Sequence, residues 1–163
     1  MLTDVQNRDV TLLNEARAAG SRAYCPYSQF PVGAAVETDI GLFTGCNIEN
    51  ASYGLAVCAE RVALFAAVAA GAKRIDRLAV SCLKAGETDP PGSRMPCGAC
   101  RQVIAEFMAS EATVTVDGAG VWTVADLLPT AFQLQIQPYL HSEGNLAHTA
   151  RADRKNEEME PLR

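Results

Sequence analysis

Basic residues are the minority charge in this sequence, with 14 Lys and Arg against 19 Asp and Glu and a formal charge of −5 with neutral histidines. A surface built to grip duplex nucleic acid needs the opposite balance, so no nucleic-acid partner is expected. A long apolar run is also missing. The longest, residues 62–72, is far short of the roughly 20 residues that cross a bilayer, so no membrane partner is expected either. Met1-Leu2-Thr3-Asp4 has neither the basic start nor the apolar core of an export signal. Histidine is nearly absent: the sequence has two, His141 and His148, both in a polar C-terminal stretch and both expected to be surface residues. Nothing demands a disulfide framework, because a domain of 163 residues buries roughly 70% of its unfolded surface. Six cysteines without an export signal therefore read as thiols or metal ligands in a cytoplasmic protein.

What is present is an alternation of helical and extended patterns. Residues 3–20 have a helical apolar spacing, with Thr3 and Gln6 at capping-box distance and Gly20 as a stop. Residues 23–31 carry a proline at each end of the Cys25–Phe30 core and predict a fixed loop. Residues 32–38 and 42–47 predict a hairpin turning at Asp39-Ile40-Gly41. Residues 58–70 predict a helix apolar all round, hence buried. A strand at 75–83, a Gly/Pro-rich loop at 84–94 and a helix at 97–108 follow. Strands at 113–116 and 121–124 and a short helix at 125–128 complete the pattern. Strands alternating with helices imply an α/β sheet covered by helices. The periodicity ends beyond this point, so a catalytic domain over residues 1–135 and a polar, flexible extension over 136–163 are expected.

The chemistry concentrates in two short runs, Cys58-Ala59-Glu60 and Pro96-Cys97-Gly98-Ala99-Cys100. Each sits at a predicted helix start, where free N–H groups and the helix dipole favour thiolates. Cys-x-x-Cys spacing lets Cys97 and Cys100 reach one zinc ion, and Cys58 supplies a third sulfur if the two helix starts face each other. With no histidine nearby, three ligands plus a water is the simplest reading, and Glu60 stands close enough to contact that water. Three thiolates on one Zn²⁺ leave a net charge of 2 − 3 = −1. Arg61 and Arg101, each following a motif residue, are positioned to offset it.

Four collinear runs carry a resemblance: residues 27–35 (YSQFPVGAA), 44–53 (TGCNIENASY), 58–61 (CAER) and 96–102 (PCGACRQ). Over about residues 3–132 the chain resembles the short, homotetrameric, zinc-dependent cytidine deaminases. The resemblance implies a three-layer α/β/α fold with a five-stranded mixed sheet. It also implies one zinc per subunit on Cys58, Cys97 and Cys100, with zinc-bound hydroxide attacking C4 of cytidine or 2′-deoxycytidine in pyrimidine salvage. Glu60 is implied as the proton shuttle, Asn47 and Glu49 as ribose contacts, Phe30 as packing against the base, and the Ala59 backbone as meeting the base edge. Tyr53 and Phe132 correspond to positions that approach a neighbouring subunit's site. Two departures stand out: the 84–94 loop is long, and Met95 occupies a position where a small residue is common.

Each residue also has a plainer reading. Phe30 alone is core, Asn47 a turn residue, Glu49 a solvated charge, and Arg61 half of a surface ion pair. Cys25, Cys46 and Cys82 read as small buried apolar residues. Rival functions are deamination of another cytosine compound, a zinc-stabilised binding module with a fourth ligand, and editing of single-stranded nucleic acid. The all-apolar helix at 58–70 adds one more expectation, since a single small sheet covers one side of it and a second copy of the chain would cover the other.

Overall fold

The computed structural model describes residues 4–86 and 88–134. The cap expected at Thr3, both histidines and the extension at 136–163 lie outside the described residues. Helix α1 (Asp4–Gly20) is followed by strands β1 (Val32–Thr38) and β2 (Gly41–Cys46), helix α2 (Ala59–Ala69) and strand β3 (Ile75–Cys82). Helix α3 (Gly98–Phe107), strands β4 (Met108–Val116) and β5 (Gly120–Thr123) and the short helix α4 (Val124–Leu127) complete the order.

The sheet runs β2-β1-β3-β4-β5. Its β3–β4 pair is parallel and the other pairs are antiparallel, so it is mixed. Period-two alternation sorts the side chains onto two faces. Ala35 of β1 and Ala79 of β3 meet Leu12 and Ala16 of α1 on one face. Ala34, Val36, Leu78, Val80 and Val114 face the larger core, with Ala63, Leu64 and Ala67 of α2, Ile104 of α3 and Leu127 of α4. The architecture is therefore the three-layer α/β/α fold anticipated above.

Two glycines set how closely helices lie on the sheet. A Cβ on Gly33 would stand 1.9 Å from the Ala16 carbonyl oxygen, and one on Gly45 would stand 2.4 Å from the Ala63 nitrogen. Hydrogen in place of a side chain lets α1 and α2 approach the sheet at these two points. The Gly45 contact matters for function, because it seats the start of α2 against the end of β2.

Three expectations need correction. The all-apolar helix is buried on one face only, with Phe65 and Val68 exposed on the other. The helix at 97–108 stops at Phe107, and Met108 has already turned extended (φ −118°, ψ 146°). The strand expected at 113–116 starts five residues earlier, at Met108. Its ladder is irregular there, with Ile75 opposite Met108 but Arg77 opposite Thr113. Ala109-Ser110-Glu111-Ala112 lacks β-branched residues and sits at this irregularity, which is why no strand pattern was visible.

Candidate active site

Two helix starts meet on the larger-core face of the sheet. Cys58 is the N-cap of α2 and Cys97 the N-cap of α3, both extended, and their carbonyls accept the first helical bonds from Val62 and Arg101. Neither cap side chain is spent on the helix, so both sulfurs are available as ligands. Cys58 Sγ lies 3.9 Å from Cys97 Sγ, and Cys97 Sγ lies 3.6 Å from Cys100 Sγ. All three sulfurs fall within 4.8 Å of one another. Two sulfurs bound tetrahedrally at about 2.3 Å from zinc stand about 3.8 Å apart, so the trio fits a zinc ion. Among the described residues no fourth His, Cys, Asp or Glu joins the group. A closed structural site needs four protein ligands, and this one has three.

Charge in the trio centres on Cys58. Hydrogen bonding from the Cys100 thiol, aided by Arg61, pulls Cys58 down to about 5, while the same bond and burial push Cys100 up. Arg61 Nη2 donates to Cys58 Sγ at 3.6 Å and to the Ala56 carbonyl at 3.3 Å. Arg101 does not share this task. Its Nε and Nη1 donate to the carbonyls of Pro96 (2.8 Å) and Leu127 (3.1 Å), bracing α3 against α4. Of the two expected charge partners, only Arg61 touches a sulfur.

Glu60 is 4% exposed. Burial drives its carboxyl above the usual range, and the thiolate at Cys58 pushes the same way. A carboxyl held toward its neutral form beside a metal site is suited to carry a proton.

The segment after β2 is fixed by its own set of backbone bonds. Ile48 exchanges both backbone bonds with Val57 at 2.9 Å, while Tyr24 N–H donates to the Asn47 carbonyl at 3.1 Å and Glu49 N–H to the Tyr24 carbonyl at 2.8 Å. Residues 47–49 are thereby clamped between the 24–30 loop and the approach to Cys58. Alternation points Asn47 and Glu49 to the same side. Asn47 Oδ1 accepts Val32 N–H at 2.8 Å and its Nδ2 donates to the Phe30 carbonyl at 3.0 Å. Glu49 Oε2 accepts the N–H groups of Tyr27 (2.9 Å) and Ser28 (3.2 Å). These bonds, with the Ser28 hydroxyl foremost, hold its carboxyl below the usual range.

A cavity of about 320 Å³ opens beside Glu49, lined also by Tyr27, Ser28, Asn50, Tyr53 and Ala56. Ala56 precedes Cys58 by two residues, so this wall runs into the first zinc ligand. Tyr27 and Tyr53 meet edge to face with ring centroids 6.0 Å apart. Tyr27, Asn50 and Ala56 were not singled out from the sequence. Their only signal was membership of the proline-bounded loop and of the run after Asn47.

Phe30 is half-buried, and Ala59 is fully buried in the first turn of α2. Tyr53 and Phe132 are among the most exposed apolar side chains, at 74% and 70%. Gln102 ties the Phe132 backbone with bonds of 2.9 and 3.2 Å. Met95 packs against the larger core. Cys25, Cys46 and Cys82 are half-buried rather than buried. Burial raises Cys82 to about 11, and its thiol donates to the Arg94 carbonyl.

Three sulfurs placed to hold one zinc ion, with no fourth His, Cys, Asp or Glu among the described residues and a buried acid two residues from Cys58, are the parts a zinc hydrolase needs. A family model described as the cytidine and deoxycytidylate deaminase zinc-binding region matches residues 6–116. The cytidine deaminase of Sporosarcina psychrophila is 44% identical over 133 residues, 78% of this chain and 93% of that protein. The Mycobacterium tuberculosis cytidine deaminase is 43% identical over 129 residues, 78% and 91% of the two chains. A crystal structure of cytidine deaminase from Burkholderia pseudomallei matches with a TM-score of 0.67 at 43% identity, covering 80% of this chain and 100% of that one. The chain belongs to the cytidine and deoxycytidylate deaminase family. It is an enzyme of the cytidine deaminase class, a hydrolase with one zinc ion per chain. No helix among the described residues is long and apolar enough to cross a membrane.

The Arg61 contact carries its own test. Arg61→Gln removes the positive charge 3.6 Å from Cys58 Sγ and is expected to lower zinc affinity or turnover by about tenfold. Metal analysis and steady-state kinetics check it, and a variant unchanged in both would leave Arg61 without a tuning role.

Proposed function

We propose that this enzyme hydrolyses cytidine and 2′-deoxycytidine to uridine and 2′-deoxyuridine with release of ammonia, serving pyrimidine salvage in the cytoplasm. The observation that carries the reading is the group of three sulfurs within 4.8 Å of one another with buried Glu60 two residues beyond Cys58, and Glu49 lining the cavity of about 320 Å³ supports it. Zinc, when bound by Cys58, Cys97 and Cys100, supplies the Lewis acidity that makes water nucleophilic near neutral pH. Glu60 takes a proton from the attacking water and delivers it to N3 of the ring. It then takes the second proton of that water from the hydroxyl added at C4 and gives it to the amine, which leaves as ammonia while the C4 carbonyl forms. Its raised pKa suits a group that must both accept and return a proton. The Ala59 backbone at the helix start meets the base edge, and Phe30 packs against the ring. Asn47 and Glu49 hydrogen-bond the ribose hydroxyls, Asn47 through the second N–H and second lone pair of an amide already bracing the loop and Glu49 through the carboxylate lone pairs that Tyr27 and Ser28 do not use. A carboxylate that faces a sugar discriminates against free cytosine, because its bonds to the ribose hydroxyls are absent when the base alone binds.

The active form is a homotetramer in this reading. Phe65 and Val68 on the outer face of α2, with exposed Tyr53 at the cavity and exposed Phe132, are apolar residues a neighbouring copy would cover. Tyr53 and Phe132 then approach a neighbouring subunit's site.

Ammonia release from cytidine, 2′-deoxycytidine and free cytosine, before and after chelation, tests the proposal. Both nucleosides should turn over, cytosine should be slower by at least about 10²-fold, and chelation should abolish all activity until zinc is restored. Turnover confined to another cytosine compound, or to single-stranded oligonucleotides, would replace this reading.

A further inference from the structure

Arg94 closes the loop between β3 and α3, three residues before Cys97, and plays no part in the chemistry above. Its N–H donates to the Pro91 carbonyl at 3.1 Å, and its own carbonyl accepts the Cys82 thiol at 3.8 Å. The guanidinium reaches two separate loops. Nη2 donates to the Gly86 carbonyl, and Nη1 to the Asp117 carbonyl at 3.4 Å. Asp117 is a firm anchor: its carboxylate takes two bonds of 2.7 Å from Arg17 of α1 and one of 2.7 Å from Ser81 of β3. Space for the guanidinium exists because residue 118 is glycine, at φ +69°, where a Cβ would stand 2.2 Å from Arg94 Nη1.

This seat is not the best way to fill the space. Arg94 Nε is buried with no hydrogen-bond partner, which an apolar side chain would avoid. What arginine adds is a rigid planar fork that joins two carbonyls at once. Between Arg94 and Cys97 there is little slack. Met95 packs on the core, Pro96 is fully buried with its φ restricted by its ring, and the Pro96 carbonyl is held by Arg101 at 2.8 Å. Cys97 is also the exposed member of the ligand trio, while Cys58 is half-buried and Cys100 buried. Its sulfur has the least packing of its own, so its place is set by the backbone that leads to it.

We propose that Arg94 is a positioning residue for the zinc ligand Cys97, tying the Met95-Pro96-Cys97 segment to the turn between β4 and β5. The inference rests on the zinc site and not on the identity of the substrate.

The test is the rate at which holoenzyme surrenders zinc to an excess of a chromogenic pyridylazo chelator, with the melting temperature measured alongside. Arg94→Ala should release zinc about tenfold faster than the parent. Arg77→Ala removes the ion pairs to Asp9 and Glu37 and touches none of the Arg94 partners. It should lower the melting temperature and release zinc at the parent rate. Arg94→Lys keeps the charge but reaches only one carbonyl, and should fall between. Parent-like release from Arg94→Ala, or equal acceleration in Arg94→Ala and Arg77→Ala, would overturn the proposal. If Arg94→Ala does not fold, Arg94→Lys decides: release at least about threefold faster supports it, and the parent rate overturns it. Release is read without substrate, so its outcome is independent of the cytidine assay.

Discussion

Glu60→Gln is expected to lower turnover by at least about 10²–10⁴-fold while zinc content stays at that of the parent. Glutamine has the shape of the carboxyl it replaces, so the 4% exposed site keeps its packing and the three sulfurs keep theirs. In the mechanism proposed above, what is lost is the group that carries a proton between water, ring and leaving amine. The effect should fall on kcat far more than on KM, because proton transfer belongs to the transition state. Metal analysis and initial rates on one protein batch make the check. A zinc-loaded Glu60→Gln enzyme within about tenfold of the parent would remove Glu60 from the chemistry and favour a binding module.

Cys100→Ala is expected to abolish both zinc binding and activity. Cys100 is buried at the first turn of α3 and stands 3.6 Å from Cys97 Sγ, so its loss leaves two donors where tetrahedral zinc needs at least three from the protein. The substitution removes one sulfur from a helix that favours alanine, and the fold should survive with a modest loss of stability. Circular dichroism would confirm the fold while metal analysis shows the zinc gone. Cys46→Ala is the control, since its thiol merely donates to the Arg22 carbonyl at 3.5 Å. It should keep metal and activity. A zinc-loaded, active Cys100→Ala protein would break the three-sulfur assignment.

Much of the site was legible because its parts are local. Cys97 and Cys100 are one helical turn apart, and their joint reach follows from that spacing alone. The caps at Cys58 and Cys97 were readable from the apolar periodicity that starts just after each. Asn47 and Glu49 were readable as a pair on one side, since alternation along an extended chain leaves no other choice. The single-residue error at Met108 and the missed start of β4 have the opposite origin. Ala109 to Ala112 has no intrinsic strand preference, and only the parallel neighbour β3 draws that stretch into the sheet.

Charge placement shows the same division. Arg61 and Arg101 are equivalent in the sequence, each one residue beyond a motif member. In the folded chain Arg61 lies on a sulfur and Arg101 on two carbonyls, a difference set by which face of each helix meets α4 and the 56–58 segment. Arg94 was indistinguishable from any loop cation, because its partners at Gly86 and Asp117 come from different loops.

The linear order of residues determined the ligand types, their spacing, the acid beside them and the alternation of strands and helices, all of which depend on neighbours within one or two turns. Only the tertiary structure decided that two helix starts 39 positions apart bring Cys58 within 3.9 Å of Cys97, that Glu60 is buried, and that one arginine rather than the other meets the sulfur. Those outcomes come from the β2-β1-β3-β4 order of the sheet and the close seating of α2 at Gly45, which act between segments far apart along the chain.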